Sequence, residues 1–174
     1  MSGHLMLVLG GARSGKSAYA EVRVMARPGP WTYLATAEPG DGEMAARIGH
    51  HQARRGAGWR TLEAPLDLAA ALQHKDDAEA VVLVDCLTLW VSNLMAADAD
   101  IEAAGDQLVA LLATLDGFVT FVSNEVGQGI VPDNEMARAF QDHMGRLHQK
   151  LAAVADEVVF VTAGLPHHLK GAAP

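Results

Sequence analysis

Gly10, Gly11, Ala12, Arg13, Ser14, Gly15, Lys16 and Ser17 are consecutive and fit the pattern G-x-x-x-x-G-K-[ST]. That spacing suits phosphate chemistry. The glycines let successive backbone N–H groups turn toward phosphate oxygens, and the start of a following helix adds partial positive charge. Lys16 is placed to neutralise β- and γ-phosphates, Arg13 to add to that charge, and Ser17 to ligate Mg²⁺. A glycine-rich turn with a chance lysine would share these residue types. Here the apolar run Leu5-Met6-Leu7-Val8-Leu9 precedes the loop and a helical segment follows it, which is the setting a phosphate loop needs.

Asp85 closes another apolar run, Val81-Val82-Leu83-Val84. A carboxylate there sits at the carboxyl edge of a sheet, beside the phosphate loop, and can hold the metal through water. An ordinary strand-end aspartate capping the next helix has the same signature. Farther on, Asn124 and Glu125 leave a strand and enter a loop containing Gly127 and Gly129. Ligand contact and a simple chain reversal both fit that loop, and the two are compatible.

A third group lies between Glu43 and Arg55. On a helix, Arg47, His50 and Arg54 share a face. Two guanidinium groups keep an imidazole lone pair free and attract phosphate, which suits a histidine attacking phosphorus. A solvated polar face has the same spacing, and spacing by itself favours that blander reading. His50 and His51 make a poor metal pair, because adjacent helical residues point about 100° apart.

Elements must position these groups. Strands are expected at Leu5–Leu9, Trp31–Thr36, Trp59–Glu63, Ala80–Asp85, Gly117–Ser123 and, last, Glu157–Thr162. Helices are expected from Lys16 to about Ala26, over Gly40–Arg55 (Asp41 as cap, Gly56 as stop), Leu66–His74 and Leu87–Ala97, and on a face marked by Ile101, Leu108, Leu111, Leu112 and Leu115. A long helix from Asp133 carries Met136, Phe140, Met144, Leu147, Leu151 and Val154 on one face. Gly171 to Pro174 reads as a loose tail. Strands alternating with helices predict an α/β fold, doubly wound, with a mainly parallel sheet of P-loop NTPase-like type. A single domain over residues 1–174 is expected. Trp31, Trp59 and Trp90 read as packing residues.

Composition narrows the function classes. The chain has 174 residues, 50% hydrophobic and 20% charged, with net charge −8. That is a globular composition, and the negative charge argues against nonspecific nucleic-acid binding. Bound nucleotide then requires a local basic site. Cys86 is the one cysteine, which fits a reducing compartment. No apolar run is long enough to span a bilayer, so a soluble, cytoplasmic protein is expected.

The chain resembles the bifunctional adenosylcobinamide kinase/adenosylcobinamide-phosphate guanylyltransferase family of cobalamin biosynthesis. The resembling pieces are the phosphate loop, Tyr33-Leu34-Ala35-Thr36-Ala37, Glu43-Met44-Ala45-Ala46-Arg47-Ile48 with His50-His51, and Trp59-Arg60-Thr61. They continue with Leu83-Val84-Asp85-Cys86-Leu87-Thr88, the run from Ser123 to Pro132, and Ala155-Asp156-Glu157-Val158. They occur in the family's order over nearly the whole chain. The phosphate loop is generic, whereas the histidine segment combined with Asn-Glu-Val-Gly-x-Gly-Ile-Val-Pro is specific.

The resemblance implies two reactions. A nucleoside triphosphate, ATP or GTP, phosphorylates the aminopropanol hydroxyl of adenosylcobinamide. GTP then gives GMP to that phosphate, forming adenosylcobinamide-GDP and pyrophosphate through a guanylylated histidine, which His50 matches. The resemblance also implies nucleotide contacts at the phosphate loop, Leu34, Ala35, Thr36, His51, Gln52, Ala53, Arg54, Glu63 and Asp85, and a homotrimer. Two departures stand out. Asp85 occupies a position that is often glutamate, and His148 stands where asparagine is usual, read here as a surface variation. Members of the family differ in whether both activities persist. A simple P-loop small-molecule kinase and a GTP-binding regulatory module are the alternatives.

Overall fold

The computed structural model describes residues 3–37, 56, 58–73 and 80–171. Seven strands form one sheet in the order β3-β2-β4-β5-β1-β6-β7. They are β1 (His4–Gly10), β2 (Trp31–Ala35), β3 (Trp59–Glu63), β4 (Val81–Asp85), β5 (Phe118–Asn124), β6 (Glu157–Thr162) and β7 (Leu165–Lys170). The described helices are α1 (Lys16–Met25), α2 (Leu68–Gln73), α3 (Leu87–Ala96), α4 (Ile101–Leu112) and α5 (Glu135–Val154). The segment expected as a helix over 40–55 lies outside the described residues.

The central strands are apolar at consecutive positions because both faces are covered. Leu5, Leu7 and Leu9 of β1 join Val82, Val84, Val119 and Phe121 in a core shared with α2 to α5. Met6 and Val8 point the other way, with Leu83 and Val122, toward Ala20 and Val24 of α1. All pairings from β3 across to β6 are parallel. Gly10 pairs with Asn124 on one side and Val161 on the other, so β1 ends between two strands where the chain order reverses. Ligands gather at the carboxyl ends of strands at such a switch point.

Several expectations are corrected. Glu157–Thr162 is not the last strand: β7 follows and pairs with β6 antiparallel. Ala163 (φ 52°) and Gly164 (φ 80°) make the turn, and positive φ at both central residues is the two-residue hairpin geometry that twisted strands accept. Pro166 is tolerated because β7 is an edge strand. The long helix begins at Glu135, not Asp133, with the Asn134 side chain accepting the Ala137 N–H as its cap. Its inward stripe is Met144, Leu147, His148 and Leu151, whereas Met136 is 74% exposed in the first turn.

Candidate functional site

The phosphate loop leaves β1 and enters α1 under tight steric limits. A Cβ at Gly10 would lie 2.5 Å from both Ser14 Oγ and the Val161 carbonyl oxygen. Gly15 has φ +96°, and a Cβ there would stand 3.1 Å from Gly164 Cα. Both positions therefore need glycine. The Gly164 N–H donates to the Ser14 carbonyl at 2.7 Å, so the β6–β7 hairpin turn braces the loop from outside. Sequence reading missed this brace because Ala163-Gly164 lacks the Asn-Gly or Asp-Gly signature.

Lys16 is 8% exposed, and its Nζ donates to the Gly11 carbonyl at 3.0 Å, which folds the ammonium back over the loop. Arg13 is exposed with φ 55°. Ser14 Oγ is buried without a hydrogen-bond partner. Ser17 lies half-buried in the first turn of α1, and no side chain caps that helix. Uncapped first-turn N–H groups beside a lysine form an anion site.

Asp85 ends β4, opposite Ala35 of β2 and Val122 of β5. The expectation that it lies beside the phosphate loop needs refining. Strand β5 separates β4 from β1, about 10 Å at ordinary strand spacing. Helix α1 closes the gap by packing across β1, β5 and β4. Cys86 reports the result: burial, then the Asp85 charge, pushes its thiol up to about 11, while Lys16 opposes the shift.

The other expected contacts divide sharply. Leu34 is 1% exposed and belongs to the core, so its side chain is turned from the sheet edge. Ala35 is half-buried and Glu63, its partner on β3, is exposed; both end their strands at the carboxyl edge. Thr36 is fully buried. Its hydroxyl donates to the Cys86 carbonyl at 2.7 Å and accepts the Cys86 N–H at 2.9 Å, and its carbonyl accepts from Asn93 Nδ2 at 2.8 Å. Thr36 therefore ties β2 to the β4–α3 junction that presents Asp85. His50, His51, Gln52, Ala53 and Arg54 lie outside the described residues.

His148 is not a surface variation. It is 7% exposed, with Nε2 2.7 Å from Ser123 Oγ and Nδ1 3.6 Å from Glu125 Oε2. Burial pulls its pKa below the usual histidine range, partly offset by Glu125. Its place on the stripe with Met144, Leu147 and Leu151 was visible in the helical period; its partner Ser123 was not.

Among the described residues no group of three histidine, cysteine, aspartate or glutamate side chains forms a metal cluster. Mg²⁺ needs no such cluster, because it takes one or two protein oxygens and completes its shell with phosphate and water. The Ser17 hydroxyl and the Asp85 carboxylate are suitable hard oxygen donors.

The sequence profile of a family described as cobinamide kinase / cobinamide phosphate guanyltransferase matches residues 6–169. The bifunctional adenosylcobalamin biosynthesis protein CobP of Pseudomonas aeruginosa is 50% identical, covering 95% of this chain and 96% of that protein. The bifunctional adenosylcobalamin biosynthesis protein CobU of Salmonella typhimurium is 40% identical, covering 95% and 99%. Among solved structures, the flagellar accessory protein FlaH of Methanocaldococcus jannaschii superposes with TM-score 0.57 at 12% identity, covering 98% of this chain and 79% of that one. An ATPase from a type III secretion system of pathogenic bacteria gives 0.57 at 11%, covering 95% and 56%. These structural likenesses establish the fold, a mostly parallel α/β sheet of the ATPase type.

Proposed function

The chain belongs to the cobinamide kinase / cobinamide phosphate guanyltransferase family, and from that premise we propose how its residues divide the work. The enzyme is a bifunctional transferase of cobalamin biosynthesis, an adenosylcobinamide kinase and adenosylcobinamide-phosphate guanylyltransferase. In the first step the acceptor hydroxyl attacks the γ-phosphorus of ATP or GTP, the bond to the β-phosphate oxygen breaks, and the nucleoside diphosphate leaves. Lys16 and Arg13 neutralise charge on the transferring group, and the uncapped first-turn amides of α1 hold the remaining phosphates. Ser17 and Asp85 would hold Mg²⁺, which would supply further charge neutralisation when bound.

In the second step an imidazole nitrogen of His50 attacks the α-phosphorus of GTP and pyrophosphate leaves. The phosphate of adenosylcobinamide phosphate then displaces the imidazole, taking the GMP group and freeing His50. His51, Gln52, Ala53, Arg54, Ala35, Thr36 and Glu63 serve the nucleotide, with Thr36 acting through its grip on Cys86 and the buried Leu34 only through its main chain. The chain acts as one cytoplasmic domain assembled into a homotrimer. No helix among the described residues is long and apolar enough to cross a membrane.

The observation that supports the reading is the phosphate loop itself: β1 ends at Gly10 beside Asn124 of β5, Lys16 Nζ folds back to the Gly11 carbonyl at 3.0 Å, and the first turn of α1 has no side-chain cap. The test is a paired assay, cobinamide phosphorylation and GMP transfer to cobinamide phosphate, on wild type and His50→Ala. Loss of GMP transfer with phosphorylation retained is expected. Equal loss of both would give His50 a binding or structural role, and acceptor-independent slow hydrolysis would favour a GTP-binding module.

A further inference from the structure

Helix α5 holds the segment that follows β5 at three heights. Arg138 Nη1 donates to the carbonyls of Pro132 at 2.9 Å and Asp133 at 2.8 Å. Gln141 Nε2 donates to the Val126 carbonyl at 2.7 Å. Deepest lies His148, between Ser123 and Glu125.

The contacts around His148 form a continuous chain. The Asn124 N–H donates to Thr88 Oγ1 at 2.8 Å, which lies 3.5 Å from Ser123 Oγ. Ser123 Oγ, fully buried, stands 2.7 Å from Nε2, and Nδ1 on the other side of the ring faces the Glu125 carboxylate at 3.6 Å. The other carboxylate oxygen accepts the Gly127 N–H at 2.6 Å. The Glu125 N–H donates to the Gly10 carbonyl at 3.1 Å, and Gly10 opens the phosphate loop. One buried imidazole thus connects the first turn of α3, the end of β5 and the loop that touches Gly10.

We propose that His148 is a positioning residue: it fixes the Glu125 carboxylate and, through it, the segment 125–127 against the phosphate loop. It acts on the reacting groups only through Glu125 and Gly10. The kinetic consequence rests on the phosphoryl-transfer reading above, while the structural consequence does not.

The amides of Glu125 and Gly127 are the reporters. Hydrogen exchange is measured on wild type and His148→Phe, with the Phe121 amide in the interior of β5 as reference. Loss of the buried polar anchor lowers protection at Glu125 and Gly127 relative to Phe121 by about tenfold. In the same variant kcat for cobinamide phosphorylation falls by about tenfold, while the nucleotide KM stays within roughly threefold of wild type, as expected when a loop is misplaced rather than a contact removed. A uniform fall in protection across β5, unchanged protection at the two amides, or unchanged kcat in an active enzyme overturns the proposal. If His148→Phe does not fold, Ser123→Ala, which removes the Nε2 partner together with the 3.5 Å contact to Thr88, is predicted to shift the same two amides in the same direction; no shift overturns the proposal. A wild type without phosphoryl transfer would refute the functional reading, and the exchange result would still decide whether His148 holds the loop.

Discussion

The Gly164 amide donates to the Ser14 carbonyl at 2.7 Å, so the turn between the last two strands is fastened to the phosphate loop. The link joins residues 150 positions apart and explains the steric limit at Gly15, where an added Cβ meets Gly164 Cα at 3.1 Å. The loop is held from both sides: by Gly164 outside, and by the Glu125 N–H on the Gly10 carbonyl inside. A loop braced in this way keeps its N–H groups oriented before nucleotide arrives, which reduces the ordering cost of binding.

Gly15→Ala should lose stability and triphosphate affinity together. The left-handed backbone alone costs roughly 1–2 kcal/mol with a Cβ present, and the contact with Gly164 adds to it. Gly11→Ala is the control for stability, because a Cβ there meets nothing within 4 Å. Urea unfolding midpoints check the pair; equal midpoints for the two variants would contradict the steric account.

Lys16→Ala removes the ammonium that folds over the Gly11 carbonyl. Phosphorylation should fall about 100-fold or more, the scale for losing one transition-state charge partner. The fold should persist, since Lys16 is the first residue of α1 and its ammonium donates to the Gly11 carbonyl of the same loop. Circular dichroism and steady-state kinetics together check this, and a near-normal kcat would remove Lys16 from catalysis.

Thr36→Val tests whether Thr36 works on the protein or on the ligand. The variant leaves the buried N–H and C=O of Cys86 without their hydroxyl partner, a cost of about 1–3 kcal/mol. Chemical denaturation should show that loss. Unchanged stability with weakened nucleotide binding would instead make the hydroxyl a ligand contact.

Acid should weaken the other end of the sheet. Burial works against the Glu157 carboxylate, but hydrogen bonds from Arg23 and His4 outweigh it and hold its pKa below the ordinary 4.5. A depressed carboxylate contributes stability that is complete above the unfolded value and disappears as pH falls through the folded one. Wild type should therefore lose its advantage over Glu157→Gln below about pH 4.5. Denaturation midpoints from pH 7 to 3 check the slope; a constant difference across that range would contradict it.

Much of this was legible in the residues. Leu5 to Leu9 and Val81 to Val84 are strands because their apolar runs have no polar face to expose, and the phosphate loop followed from glycine spacing between a strand and a helix. Strand β7 was hidden because Pro166 and exposed Leu165 and Leu169 look unlike a core strand, and because its turn uses Ala163. The partner of His148 was hidden for another reason. The helical period puts His148 on the stripe with Met144, Leu147 and Leu151, but nothing local shows the hydroxyl 25 positions away that partners it there. Local patterns register period and turn chemistry; they carry no signal for one distant partner.

The central claim concerns His50, and incubation with α-labelled GTP and Mg²⁺ without corrinoid tests it most directly. The account predicts an acid-labile label that stays on denatured wild type and is absent from His50→Ala, as for a phosphoramidate. No label on folded, GTP-binding wild type, or full labelling of His50→Ala, would contradict it.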